Sequence, residues 1–187
     1  MAEHRRAGVR RSSDGEDLLK GAAAGLIGGL VASFAMNEFQ RAWTWAIDGS
    51  APQSSGDKHD GRDWQERNED ENATEQVAQA ISRRTIERRL TRDELEVAAP
   101  AVHYGFGALM GTVYGVIAER SSRITAVGGA GYGALIWALA DEVAVPAFGF
   151  SRPSTEFPLE THAQALAAHL VYGMTTEGVR RGMRSQM

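Results

Sequence analysis

The chain contains no cysteine, so disulfides, thiolate zinc sites and cysteine nucleophiles are excluded, and either redox compartment suits it. Aromatic residues make up only 7% of the sequence, and no basic stripe is interleaved with them. With a net charge of −4, these absences exclude a general nucleic-acid binder. No nucleophile-bearing motif is present either; Ser33 stands alone. The sequence is therefore read as non-enzymatic, with no cofactor.

What is present looks soluble on average. The mean hydropathy is −0.31 and 24% of residues are charged. Almost all of the charges, however, fall in residues 1–20, 48–96, 119–123 and 177–184, leaving four weakly polar segments between them. These are Gly21 to Ile47, Val97 to Ala118, Ile124 to Phe150 and Thr161 to Thr176. A membrane span needs about 20 mainly apolar residues, with roughly 17 as the floor. Three of the segments sit near that floor, so length does not decide between a membrane bundle and a tightly packed soluble one.

Glycine spacing weighs on the membrane side. Gly21, Gly25 and Gly29 recur every four residues, as do Gly107, Gly111 and Gly115, and Gly129 and Gly133 repeat the interval once. In water each mid-helix glycine costs up to about 1 kcal/mol relative to alanine. In lipid, small residues four apart let helix backbones approach closely. Charge asymmetry is a separate test. Arg5, Arg6, Arg10, Arg11 and Lys20, then Arg120 and Arg123, then Arg180, Arg181 and Arg184 all fall on one side if there are four spans. By the positive-inside rule that side is cytoplasmic and holds both termini. A cleaved signal peptide ending near Ser33-Phe34-Ala35 is the rival reading of residues 1–35; Asp14, Glu16 and Asp17 in its basic region are untypical of one.

The expected fold is thus all-α: a four-helix transmembrane bundle packed through glycine zippers, with an extramembrane helical insertion between the first and second spans. The expected layout is a cytoplasmic tail over 1–20, a first span over 21–47 and an extracytoplasmic linker and amphipathic helix over 48–98. Three further spans follow over 99–181, and a short tail over 182–187. Residues 48–72, rich in Asp, Gly, Ser and Gln, read as a flexible connection. Asn72 or Thr74 is placed to cap a helix with Glu75 in its first turn. Val77, Ile81, Ile86 and Leu90, with Ala78 and Ala80, give its apolar stripe, and Arg83, Arg84, Arg88, Arg89 and Arg92 occupy the other faces. Both a solvated helix and an interfacial one fit this pattern. Thr91 with Glu94 resembles a capping box and predicts a second short helix leading to Pro100.

The ionisable residues inside the spans carry the mechanistic content. At a rise of about 1.5 Å per residue, Glu38 lies about 26 Å above Gly21 and Asp141 about 26 Å above Ile124. His103 and His162 come out at about 21–23 Å, with Glu142 and Asn37 beside this level and His169 lower on the His162 face. All four helices therefore place a polar group in one outer layer. Such groups are costly in lipid and face a bundle interior or a water-filled cavity. Three uses stay open: mutual satisfaction that locks the packing, a proton or ion path, or a metal site drawing on His103, His162, Asp141 and Glu38. Pro146, Pro153 and Pro158 allow either a plain helix stop or a partly buried loop above Asp141–Glu142. Trp43, Trp45, Phe148 and Phe150 are placed for an outer aromatic belt.

The stretch Ala99-Pro100-Ala101-Val102-His103-Tyr104-Gly105-Phe106-Gly107 and its continuation Met110-Gly111-Thr112-Val113-Tyr114-Gly115, with Pro158-Leu159-Glu160-Thr161-His162 and Ala168-His169-Leu170-Val171-Tyr172-Gly173, resemble the YagU-like family of bacterial inner-membrane proteins. The resemblance covers the four spans, not the 48–72 linker. It implies a multi-span inner-membrane fold and a loose link to acid tolerance, and brings no catalytic residues. Two functions are expected. One is proton or ion handling through Glu38, His103, Asp141, Glu142, His162 and His169. The other is a structural or partner-binding membrane protein that self-associates through Gly25, Gly29, Gly107, Gly111, Gly115, Gly129 and Gly133. The partners expected are the lipid bilayer and a second copy of the chain, not nucleic acid.

Overall fold

The computed structural model describes residues 2–48, 73–151 and 153–187. Apart from Asp48, the expected 48–72 connection lies outside the described residues, as does Arg152 of the outer link. No strand occurs among the described residues.

Helix α1 spans Ala2–Asp48 without a proline to interrupt it. Helix α2, Ala73–Thr85, folds back through a tight turn onto α3, Arg92–Ala118. Thr91 caps α3 as its spacing predicts: its hydroxyl accepts from the Glu94 N–H and the Glu94 carboxylate accepts from the Thr91 N–H. The helix does not stop at Pro100, as expected from the sequence, but continues through it. Proline removes only one amide donor, and the carbonyl this leaves belongs to Glu96, which is exposed to solvent.

The stripe that α2 turns toward α3 also differs from expectation. Ala78 and Ser82 are buried while Ile81 and Ile86 are exposed. Polar bonds set that rotation. Ser82 donates to the Arg88 carbonyl at 2.8 Å, and Gln79 donates to and accepts from the Leu90 backbone at 3.1 and 3.0 Å.

The third segment enters as a left-handed turn over Ala126–Gly129, so its helix begins at Ala130 and not at Ile124. Val127 holds φ +54° there, an unfavourable place for a β-branched residue. Helix α4, Ala130–Ile136, runs on as a π-helical stretch over Trp137–Ala144 and ends in the short α5, Val145–Ala147. Pro146 explains part of the widening, because it has no N–H to return to Glu142. The freed Glu142 carbonyl accepts from Ser154 Oγ at 2.9 Å instead. The chain then makes a plain stop, turns at Gly149 and through Ser154–Glu156, and enters α6, Leu159–Arg184, behind Pro158.

Helix α1 packs along both α3 and α6, and α4 packs on α6. A Cβ on Gly25 would strike the Gly111 carbonyl, one on Gly29 that of Gly107, and one on Gly115 that of Gly21. These pairs advance by four on α1 and retreat by four on α3, so the helices run antiparallel with their backbones touching. Gly129 and Gly133 meet Gly173 and the His169 backbone in the same way, and Gly28 meets the Thr176 carbonyl. Every glycine face assigned from the sequence to self-association is thereby occupied within the chain.

Two helices are long and apolar enough to cross a membrane, the Asp14–Ile47 part of α1 and Arg92–Ala118. The other two expected spans are helical over 130–147 and 159–184. The first is interrupted by the π-helical stretch and Asp141–Glu142, and the second carries its acidic and basic residues within the helix.

Gly111→Ala is expected to lower stability by about 1–3 kcal/mol through overpacking, whereas Gly105→Ala, with nothing near its Cβ position, should cost nothing. Unfolding in detergent compares them, and equal effects would remove the glycine contact as the cause. A second outcome concerns the α2–α3 turn. The Arg88 guanidinium, with the Thr91 amide, holds the Glu94 carboxyl down at about 2 from an ordinary 4.5. The turn should keep this support above pH 4.5 and lose it as pH falls toward 2. Amide exchange of residues 85–92 should accelerate over that window, and Glu94→Gln should abolish the pH dependence.

Candidate functional site

The π-helical stretch places two successive carboxylates toward α6. Glu142 Oε1 lies 2.6 Å from Nδ1 of His162, in the first turns of α6. The other ring nitrogen, Nε2, is 2.9 Å from the Ser154 carbonyl. A carbonyl only accepts, so Nε2 carries a hydrogen. Nδ1 and Oε1 then share one proton, either as imidazolium and carboxylate or as imidazole and carboxylic acid. Two turns further along the same face, His169 donates from Nδ1 to the Ala165 carbonyl at 2.9 Å and lies 3.5 Å from Asp141 Oδ2. Neighbours in an α-helix diverge by about 100°. The wider π turn and the seven-residue step between the histidines let both pairs form at once.

His103 belongs to the same region but has no carboxylate. The glycine register continues one step upward to bring it opposite Ser33 of α1. It is close enough to His169 for the two imidazoles to repel when charged. Its ring meets Tyr104 edge-on at 5.5 Å. Among the described residues neither His103 Nε2 nor Ser33 Oγ has a hydrogen-bond partner, and the same holds for Trp137 Nε1.

Glu38 does not join this group. It is exposed and paired with Arg41 at 2.7 Å. Five residues beyond Ser33 is about 140° around the helix, away from the buried face. Equal depth did not imply equal direction. Nor is any group of three or more His, Asp or Glu placed to hold a metal ion among the described residues. Of the four residues considered as ligands, Glu38 pairs with Arg41, His162 with Glu142 and Asp141 with His169, while His103 has no carboxylate partner.

A second polar cluster, unread in the sequence, closes the opposite end of the bundle. Glu177 is 1% exposed. It accepts from Tyr114 Oη at 2.9 Å, from Arg180 Nε at 2.7 Å and from Arg181. Beside it, Glu119 accepts from Arg184 at 2.9 and 3.0 Å and from Arg180 at 3.4 Å, and Arg184 reaches Asp17 at 3.1 Å. Helices α1, α3 and α6 are tied together there. Between the two clusters lie buried tyrosines: Tyr172 donates to the Gly107 carbonyl at 2.6 Å and Tyr132 to that of Met110 at 2.8 Å. Tyr114 and Tyr132 stack with ring centres 4.7 Å apart. The available signal was the spacing of Glu177 to Arg180 and Arg181, three and four residues on one helix.

Fold and site together define an all-helical protein with two helices fit to cross a membrane and with His–carboxylate pairs at one end. The chain belongs to the DUF1440 family, described as a protein of unknown function, whose model matches residues 62–178. That match takes in α2 and part of the connection before it and leaves out α1, whereas the sequence resemblance ran over four spans without the connection. No curated protein and no solved structure matches the chain.

Tyr114→Phe removes the hydroxyl donor of a charged acceptor and should cost about 1.5–3 kcal/mol. Glu177→Leu, which leaves part-buried Arg180 with only Glu119 at 3.4 Å and Tyr114 Oη without its acceptor, should cost more, about 3–5 kcal/mol. Denaturant unfolding in detergent measures both, and a neutral Glu177→Leu would show that the cluster contributes nothing to the fold.

Proposed function

We propose that the chain is a multi-pass membrane protein of four spans, both termini cytoplasmic, whose outer cluster of Asp141, Glu142, His162, His169 and His103 takes up and relays protons. The membrane reading draws on where the apolar side chains go. Leu26, Ile27, Leu30, Val31 and Phe34 of α1 are exposed, as are Phe106, Leu109, Val113 and Ile117 of α3 and Leu135, Leu139 and Val143 of the α4 rod. In the bundle the buried positions hold mostly small and polar residues, among them Ala24, Ala32, Ser33, Ala168, His169, Thr176 and Glu177, with Tyr114, Tyr132, Tyr172, Met36 and Ile136. A soluble domain of this length hides its Leu, Val and Phe and keeps large apolar patches small. Lipid accepts them outside and leaves small and polar residues to join the helices. The resemblance to the YagU-like family points to the bacterial inner membrane and to acid tolerance, and the arginine asymmetry points to cytoplasmic termini.

The observation that carries the proton reading is the Glu142–His162–Ser154 arrangement, with Nδ1 and Oε1 2.6 Å apart and the other ring nitrogen on a carbonyl. Histidine changes charge near neutral pH, and neighbouring carboxylates keep such a group able to accept and release a proton. Glu38 has no part in it.

A structural role is the second reading, favoured by the number of bonds that these same pairs make between α4 and α6. The glycine faces speak for packing inside one chain and leave self-association to other surfaces.

Reconstituted liposomes with an internal pH-sensitive dye separate the two. The wild type should move protons faster than empty liposomes, and His103→Ala/Asp141→Asn should fall back to the empty rate while the protein stays folded. Equal flux from wild type and the double variant would remove proton handling and leave the structural reading.

A further inference from the structure

We propose that the outer half of α1 carries a hydrated polar groove, running from Thr44 down to Ser33, that ends in a site for water or hydronium at His103 Nε2. This rests on the proton reading above and names the route by which protons reach that cluster.

Ser33, Asn37, Gln40 and Thr44 follow one another at steps of three or four residues, with Arg41 four beyond Asn37, hence on one face of α1. The upper four line an open groove. At the same height Leu30, Val31 and Phe34 present an exposed apolar face, so α1 is divided along its length. The stripe is also the continuation of Gly21, Gly25 and Gly29. Below, glycine meets glycine and the backbones touch; above Gly29 the stripe carries side chains, beginning with Ser33, whose hydroxyl packs against Gly107. Asn37 donates to Tyr104 Oη at 3.4 Å, which ties the stripe to α3.

At the bottom are two buried polar atoms without a hydrogen-bond partner among the described residues, Ser33 Oγ and His103 Nε2, and the imidazole lies against the Ser33 backbone. Buried polar atoms find a protein or water partner in nearly all folded proteins. A water molecule both donates and accepts, and one placed between the hydroxyl and the imidazole nitrogen satisfies both. From there His169, with Asp141 beside it, is the next titratable group inward. The groove thus joins the outer surface to the cluster without passing the Glu142–His162 pair.

The cysteine-free sequence makes the test clean. Thr44→Cys, Asn37→Cys, Ser33→Cys and, as the apolar-face control, Val31→Cys are exposed to a membrane-impermeant quaternary-ammonium methanethiosulfonate in vesicles of both orientations. The three groove thiols should react at least about tenfold faster than Val31→Cys, because water keeps a thiol near its free pKa and an apolar setting raises it. Asn37→Cys and Ser33→Cys reacting no faster than Val31→Cys from either side would overturn the groove. A sulfur at position 33 crowds Gly107, so the unmodified protein supplies a second measurement. Deuterium uptake at the imidazole C2 of His103 should match that of the half-buried His162, and absence of uptake would overturn the site. Labelled groove thiols in a protein that moves no protons would uphold the groove and remove the proton reading alone.

Discussion

Where Gly25 faces Gly111, the backbones of α1 and α3 touch, and no side chain larger than hydrogen fits between them. That contact sets the register for everything above and below it. It repeats at Gly21–Gly115 and Gly29–Gly107, and the next step up puts Ser33 against His103. A shift of one residue along α3 would turn the glycines out of the seam and His103 away from α1. The contact of Gly129 and Gly133 with α6 plays the same part for Asp141 and Glu142. Close backbone approach at these glycines adds dispersion contacts to a core built on Met36, Tyr114, Tyr132, Ile136 and Tyr172.

The two ends of the bundle are built on opposite principles. Around Glu177 every acceptor is met: one tyrosine and two arginines serve a carboxylate that is almost inaccessible. Charges so matched stay fixed. At the other end a single proton lies between Glu142 and His162, His169 has a carboxylate at 3.5 Å, and His103 and Ser33 retain free polar atoms. Incomplete satisfaction is what a group needs if it is to exchange protons or admit water. The tyrosines between the ends donate to α3 carbonyls and so brace the bundle without linking the clusters into one chain of hydrogen bonds.

Much of the local structure was legible in the sequence because short-range chemistry decides it. The Thr91–Glu94 capping box formed as its spacing predicts, and the four-residue glycine interval marked the faces on which helices meet. Asp141, Glu142, His162 and His169 were identified beforehand as residues, though not as pairs. Other features were not legible. Pro100 suggested a helix end, yet a solvated carbonyl at Glu96 made the missing donor cheap. Ile81 and Ile86 suggested an apolar stripe, yet hydrogen bonds from Gln79 and Ser82 to the following turn rotated the helix otherwise. Glu38 shared a depth with the histidines but not a direction. Glu177 escaped notice because its neighbours in sequence look like an ordinary basic helix end, and Tyr114 reaches it from 63 residues away.

The sequence by itself determined that the chain is helical, where small residues line each helix, and which ionisable groups lie far from the charged segments. Spacing along one helix is enough for that, since it reflects the geometry of a single turn. Only the tertiary structure decided which glycines meet, that their faces are used within the chain, and which histidine finds a carboxylate. Those outcomes depend on the relative rotation and stagger of helices distant in sequence, which backbone contact at glycine sets and no local pattern encodes.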